Sequence, residues 1–111
     1  MTGNEFRKSA LALPDAVEQS HMNHPDFRVG GKIFATLGRD EAWGMVKLTP
    51  EQQTEFLHDY PKMFEAFNGA WGVGGATRVI LETVSKDVAR LALMSAWRNT
   101  APKREKVQKK R

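Results

Sequence analysis

The chain has 111 residues, 41% of them hydrophobic, and no cysteine. That length suits one domain able to bury a core without staples, while the missing cysteines exclude disulfides, thiolate metal sites and cysteine nucleophiles. The net charge of +4 comes from 17 basic and 13 acidic side chains, but six of those bases and one acid lie in residues 103–111. Residues 1–102 therefore hold 11 bases against 12 acids, so net charge does not mark the body as a nucleic-acid binder.

In chain order, residues 4–13 read as a helix. Phe6, Ala10 and Leu13 share a face, Thr2 and Glu5 have capping-box spacing, and Pro14 stops the helix. Residues 16–22 are ambiguous and fit a short edge strand leading into a turn at His24-Pro25-Asp26. Phe27 to Leu37 is the first strong β region. Its Gly30-Gly31 pair is either a hairpin turn or a bulge in one long strand. Arg39-Asp40-Glu41 is a polar turn. Trp43 to Leu48 follows as a strand with Trp43, Met45 and Lys47 on one face, and Val46 and Leu48 on the other.

Thr49-Pro50-Glu51-Gln52 combines a threonine cap, proline at the first helical position and a capping-box glutamine. The helix should reach about Tyr60 with Phe56, Leu57 and Tyr60 inward. Residues 62–67 read as a short strand, Asn68-Gly69 as a turn, and Thr77 to Val84 as the last strand. Ser85 should cap a final helix running to about Asn99, with Val88, Leu91, Ala92, Met94 and Ala96 on its apolar face. Pro102 ends it, and the charged residues 103–111 should be disordered. The sum is one α+β domain over residues 1–102: a single, largely antiparallel sheet packed with about three helices.

Two glycine-punctuated segments stand out, Asp26–Leu37 and Gly69–Leu81. Each sets strand-forming residues beside a glycine pair, with Arg28, Lys32 and Arg78 close by, which suggests two projecting β-loops. Gly72-Val73-Gly74-Gly75 is not a nucleotide loop, because a β-rich run follows it where such a loop needs a helix N-terminus. Arg28, Lys32, Lys47 and Arg78 could hold phosphates if they share a face. As solvated strand cations they would serve equally to discourage edge pairing. Trp71 beside Gly72 could stack on a ligand ring, or pack over glycines where the backbone comes close. Trp43 and Trp97 read as core or boundary residues. His21 and His24 have a spacing that suits a metal on a helix, but Pro25 opposes a helix there and Asp26 is the one nearby carboxylate. No metal or other cofactor is expected.

The ordered set Leu13-Pro14, Phe27-Arg28-Val29-Gly30-Gly31-Lys32-Ile33-Phe34-Ala35, Thr49-Pro50-Glu51-Gln52, Trp71-Gly72 leading to Thr77, and Ala96-Trp97-Arg98 before Ala101-Pro102 resembles the MmcQ/YjbR-like family of small bacterial proteins. The likeness covers about residues 6–102. It implies a CyaY-like α+β fold and a double-wing arrangement in which β-loops contact DNA. The basic tail lies outside the family region.

The first functional expectation is a cytoplasmic DNA-binding protein. Arg28, Lys32, Lys47 and Arg78 would contact phosphates of a duplex, and the tail, beginning with Lys103 and Arg104, would add salt-dependent attraction. The alternative is a protein-interaction or small-ligand-binding module using Trp71 and Gly72, without nucleic acid. No apolar run approaches the roughly 20 residues of a membrane helix, and no signal-peptide pattern is seen. No nucleophile motif appears around Ser9, Ser20, Ser85 or Ser95, and the carboxylates Asp26, Asp40, Glu41 and Glu65 are scattered. The chain is thus expected to be a monomer without enzymatic activity.

Overall fold

The computed structural model describes residues 1–102; the basic tail, with Lys103 and Arg104, lies outside the described residues. The order is α1 (Gly3–Leu11), β1 (Val17–His21), β2 (His24–Val29), β3 (Lys32–Leu37), β4 (Trp43–Lys47), α2 (Pro50–Asp59), β5 (Phe64–Ala66), α3 (Gly69–Val73), β6 (Ala76–Ile80) and α4 (Lys86–Thr100). All six strands form one sheet in the order β1-β2-β3-β4-β6-β5, and every pairing is antiparallel. The expected α+β architecture is what the chain adopts. No helix among the described residues is long and apolar enough to cross a membrane.

Helix starts follow local chemistry. The Thr2 hydroxyl accepts from the Glu5 amide while the Glu5 carboxylate accepts from the Thr2 amide. Thr49 and Gln52 repeat that reciprocal box, and the Ser85 hydroxyl accepts from the Val88 amide. Each box satisfies amides that a helix leaves without intrahelical partners.

The core lies between the sheet and the helices α1, α2 and α4. Phe6 and Ala10 of α1, and Val88, Ala89, Ala92, Leu93 and Ala96 of α4, meet Phe27, Leu37, Val46 and Val79 of the sheet. Phe56 of α2 lies edge-on to Phe64 of β5 with ring centres 5.1 Å apart. In the final helix, Leu91 and Met94 turn outward, 51% and 37% exposed. Val88, Ala92 and Ala96 pack inward as expected, and Ala89 and Leu93 complete the stripe in place of Leu91 and Met94.

Gly30-Gly31 is a hairpin turn. Val29 pairs with Lys32 across it, and both glycines have φ in the left-handed region, 59° and 80°, which costs glycine nothing. A bulge exists as well, three residues on. Ala35 pairs with Phe27 and Ile33 with Arg28, leaving Phe34 unpaired between them. Two expected turns are corrected. The β1–β2 turn is Met22-Asn23, with φ of 49° and 68°, and His24-Pro25-Asp26 is strand. Pro25 is tolerated there because it pairs with Ser20 of β1 and has no partner on β3. The second glycine segment is not a β-loop either, since α3 occupies its first half.

Candidate binding face of the sheet

Antiparallel register places one residue from each strand in a row across the sheet: Gln19, Asp26, Thr36, Met45, Arg78 and Glu65. Their neighbours Phe27, Ala35, Val46 and Val79 point to the helices, so this row lies on the opposite, open face. The bulge at Phe34 brings Ile33 onto that face too. In a regular strand, Ile33 and Thr36, three residues apart, would face opposite sides.

Asp26, Thr36 and Met45 are nonetheless buried, because side chains at the rim overhang them. The result is a hollow of about 340 Å³. Ile33, Thr36 and Met45 form its floor, with His21, His24, Trp43, Trp71 and Lys47 around it. Trp71 and Lys47 also border a neighbouring hollow of about 450 Å³ that reaches Asn99 and Thr100 at the end of α4.

One polar assembly supports the rim. The Asp26 carboxylate accepts from Arg28 Nε at 2.8 Å and Arg28 Nη2 at 3.1 Å. His21 Nδ1 lies 2.7 Å from Asp26 Oδ2, the oxygen that also accepts from Arg28 Nη2, a geometry that puts a proton on Nδ1. The Arg28 guanidinium, and after it His21, holds the Asp26 carboxyl below the ordinary carboxylate range against the opposing effect of burial. The His24 ring stands 4.8 Å from that of His21, and its Nδ1 is buried with no hydrogen-bond partner.

A second assembly is aromatic. The Arg78 guanidinium lies 5.0 Å from the Trp43 ring centre and 4.6 Å from that of Phe67, within cation–π range. Glu65 approaches Arg78 Nε at 3.7 Å, too far for a hydrogen bond. Phe67 in turn stacks on Trp71 with centres 4.6 Å apart, and Trp71 remains 51% exposed.

The short helix carrying Trp71 is held by tertiary contacts. A Cβ on the buried Gly72 would collide with the Phe67 carbonyl. Gln53 Nε2 of α2 donates to the carbonyls of Gly72 and Ala76 and to the Thr77 hydroxyl, at 3.0, 3.0 and 3.1 Å.

Of the sequence-derived candidates, Arg28, Lys47 and Arg78 share the open face. Arg28 is bound to Asp26 and Arg78 lies against the rings of Trp43 and Phe67, whereas Lys47 is exposed at the hollow. Lys32 is exposed beside the β2–β3 turn and does not line the hollow. Trp71 lines it, and Gly72 packs beneath as a point of close backbone approach. Sequence reasoning missed the hollow's Ile33, Thr36 and Met45. It weighed His21, His24 and Asp26 as metal ligands or turn residues, and Asp26 also as one of several scattered carboxylates. Among the described residues, no group of three or more His, Asp or Glu side chains is placed to hold a metal.

The YjbR family model matches residues 11–99. The chain belongs to the YjbR family. The fold is similar to that of the Deinococcus radiodurans protein DR2400, whose domain carries the family designation DUF419: TM-score 0.71, 19% identity, covering 86% of this chain and 75% of that one. At that identity the likeness concerns the fold. No curated protein matches the chain.

Proposed function

We propose that this YjbR protein is a binding module rather than an enzyme, and that its working site is the hollow on the open face of the sheet. The observation that carries this reading is the burial of Asp26, Thr36 and Met45 on the face opposite the one that α1 and α4 pack against. The depression is largely apolar, with a few polar groups at its rim, which is the usual make-up of a small-molecule site, and its size is at the lower end of the usual range of roughly 300–1,000 Å³. An NMR titration with small aromatic fragments tests it. Shifts should concentrate at Thr36, Met45 and the Trp43 and Trp71 indoles. Shifts centred instead on exposed Leu91 and Met94 of α4 would reject the site.

Nucleic acid is the second reading, favoured by the arrival of Arg28, Lys47 and Arg78 on one face beside an exposed Trp71. Two of those cations are already engaged, so phosphate attraction falls to Lys47 and Lys32, with the tail adding a term that salt weakens. A chain ending at Pro102 separates these contributions. Retained duplex binding at low salt would support the face, and complete loss would leave only the tail.

A further inference from the structure

We infer that the hollow takes a nucleotide unit, with its heterocycle at the histidine end and its phosphate at Lys47. This rests on the reading that the hollow is the working site, and it adds the chemistry of the occupant.

The two ends of the hollow differ in kind. Lys47 and Trp43 are four residues apart on β4, so they mark points roughly 13 Å apart along the strand. At the Trp43 end stand His21 and His24, and the buried Nδ1 of His24 has no hydrogen-bond partner among the described residues. That nitrogen can donate or accept according to tautomer, which is what the edge of a heterocycle requires. Trp43 and Trp71 supply ring faces for stacking, and Met45 and Ile33 supply an apolar floor.

The Lys47 end is suited to an anion. Among the described residues no carboxylate lines the hollow, and Asp26, which His21 contacts at its rim, is already matched by Arg28. Lys47 also borders the second hollow with Asn99 and Thr100, so a phosphate there would have room for a continuing chain. A ring with hydrogen-bonding edges at one end and a negative group at the other describes a nucleotide, either free or as one residue of a single strand. Duplex DNA keeps its base faces stacked and its Watson–Crick edges paired, and so cannot lay a ring on these indoles.

The test uses the full chain, with tryptophan fluorescence and calorimetry. The probes are adenosine and uridine monophosphates, their nucleosides, inorganic phosphate and a short oligothymidylate. The expected result is saturable binding of a monophosphate or of the oligonucleotide, with the nucleosides at least about tenfold weaker. Lys47→Met should weaken the monophosphate about tenfold while leaving the nucleoside unchanged; Lys47 is exposed, so the variant should fold. His24→Ala should alter the preference between adenine and uracil. Oligonucleotide binding without mononucleotide binding identifies a strand as the source of the unit, and the converse identifies a free metabolite. Equal affinity for nucleoside and monophosphate, or binding of inorganic phosphate alone, overturns the assignment. If no nucleotide binds but an aromatic dye does, and Trp71→Ala abolishes the dye binding, the nucleotide is rejected and the working site stands. If the dye ignores Trp71 as well, both are rejected.

Discussion

Arg28 reaches back two residues along its own strand to grip the fully buried carboxylate of Asp26 with two nitrogens, at 2.8 and 3.1 Å. Neighbours at i and i+2 on a strand share a face, so the pair is local in sequence. Its function is not local, because His21 of the adjoining strand binds the same carboxylate and the β1–β2 hairpin is fastened at that point.

Replacing Asp26 with Asn should therefore loosen this hairpin. The amide offers one acceptor oxygen where the carboxylate has two, and its own N–H groups would face the donors of Arg28 and His21. A loss of about 1–3 kcal/mol is expected, toward the lower end because the Arg28 side chain is 24% exposed and partly solvated. Urea unfolding measures it, and hydrogen exchange should show the loss concentrated in residues 17–29.

Acid should weaken the same region. The Asp26 carboxyl is held below its ordinary value in the folded protein, by Arg28 first and His21 second. Its contribution is thus complete above the unfolded-state value of about 3.9 and is lost as pH falls from there through the lower folded value. The urea midpoint of the natural chain should drop more steeply below about pH 4 than that of Asp26→Asn; parallel slopes would assign the acid sensitivity elsewhere.

Gly72→Ala should be among the most damaging single-atom additions. The new methyl group would meet the Phe67 carbonyl, a backbone atom that cannot swing aside. Displacing α3 would also break the Gln53 contact to Gly72. A destabilisation of about 2–4 kcal/mol is expected, with loss of the hollow's Trp71 wall visible as altered indole fluorescence.

Gln53→Leu isolates that contact. The side chain is buried and donates to three acceptors on the α3–β6 segment. Leucine fills similar space but leaves those acceptors unmatched, at a cost of about 1–3 kcal/mol. By contrast, Trp71→Ala should change stability by less than about 1 kcal/mol, since half the ring is already in water. Its effect should appear in ligand binding.

The legible parts of the fold were those written in short stretches of sequence. Threonine caps, the proline at position 50 and the alternation from Trp43 to Leu48 depend on neighbours within a few residues, and each predicted element formed. Residues 69–73 hid a helix because five residues cannot sustain one alone; Gln53, nineteen residues away, and Phe67 hold it. Pro25 and Asp26 looked like turn residues, yet the turn fell at Met22-Asn23, since pairing of β1 with β2 decides which residues remain to close it. The hollow could not be read at all. Its floor combines Ile33, Thr36 and Met45 from two strands, and their meeting depends on register and on one unpaired residue.

That unpaired residue, Phe34, has an evolutionary consequence. A bulge bends its strand and changes which side chains appear on each surface, so the depression over β3 and β4 originates in the main chain. The residues around its mouth, His21, His24 and Lys47, can be exchanged without flattening it. A lineage could thus inherit the basin while changing its occupant, and related chains of this shape need not share a ligand. Deleting the single residue Phe34 would do the reverse: it would straighten the strand and remove the local bend, while Ile33 and Thr36, then two residues apart, would keep the same open face.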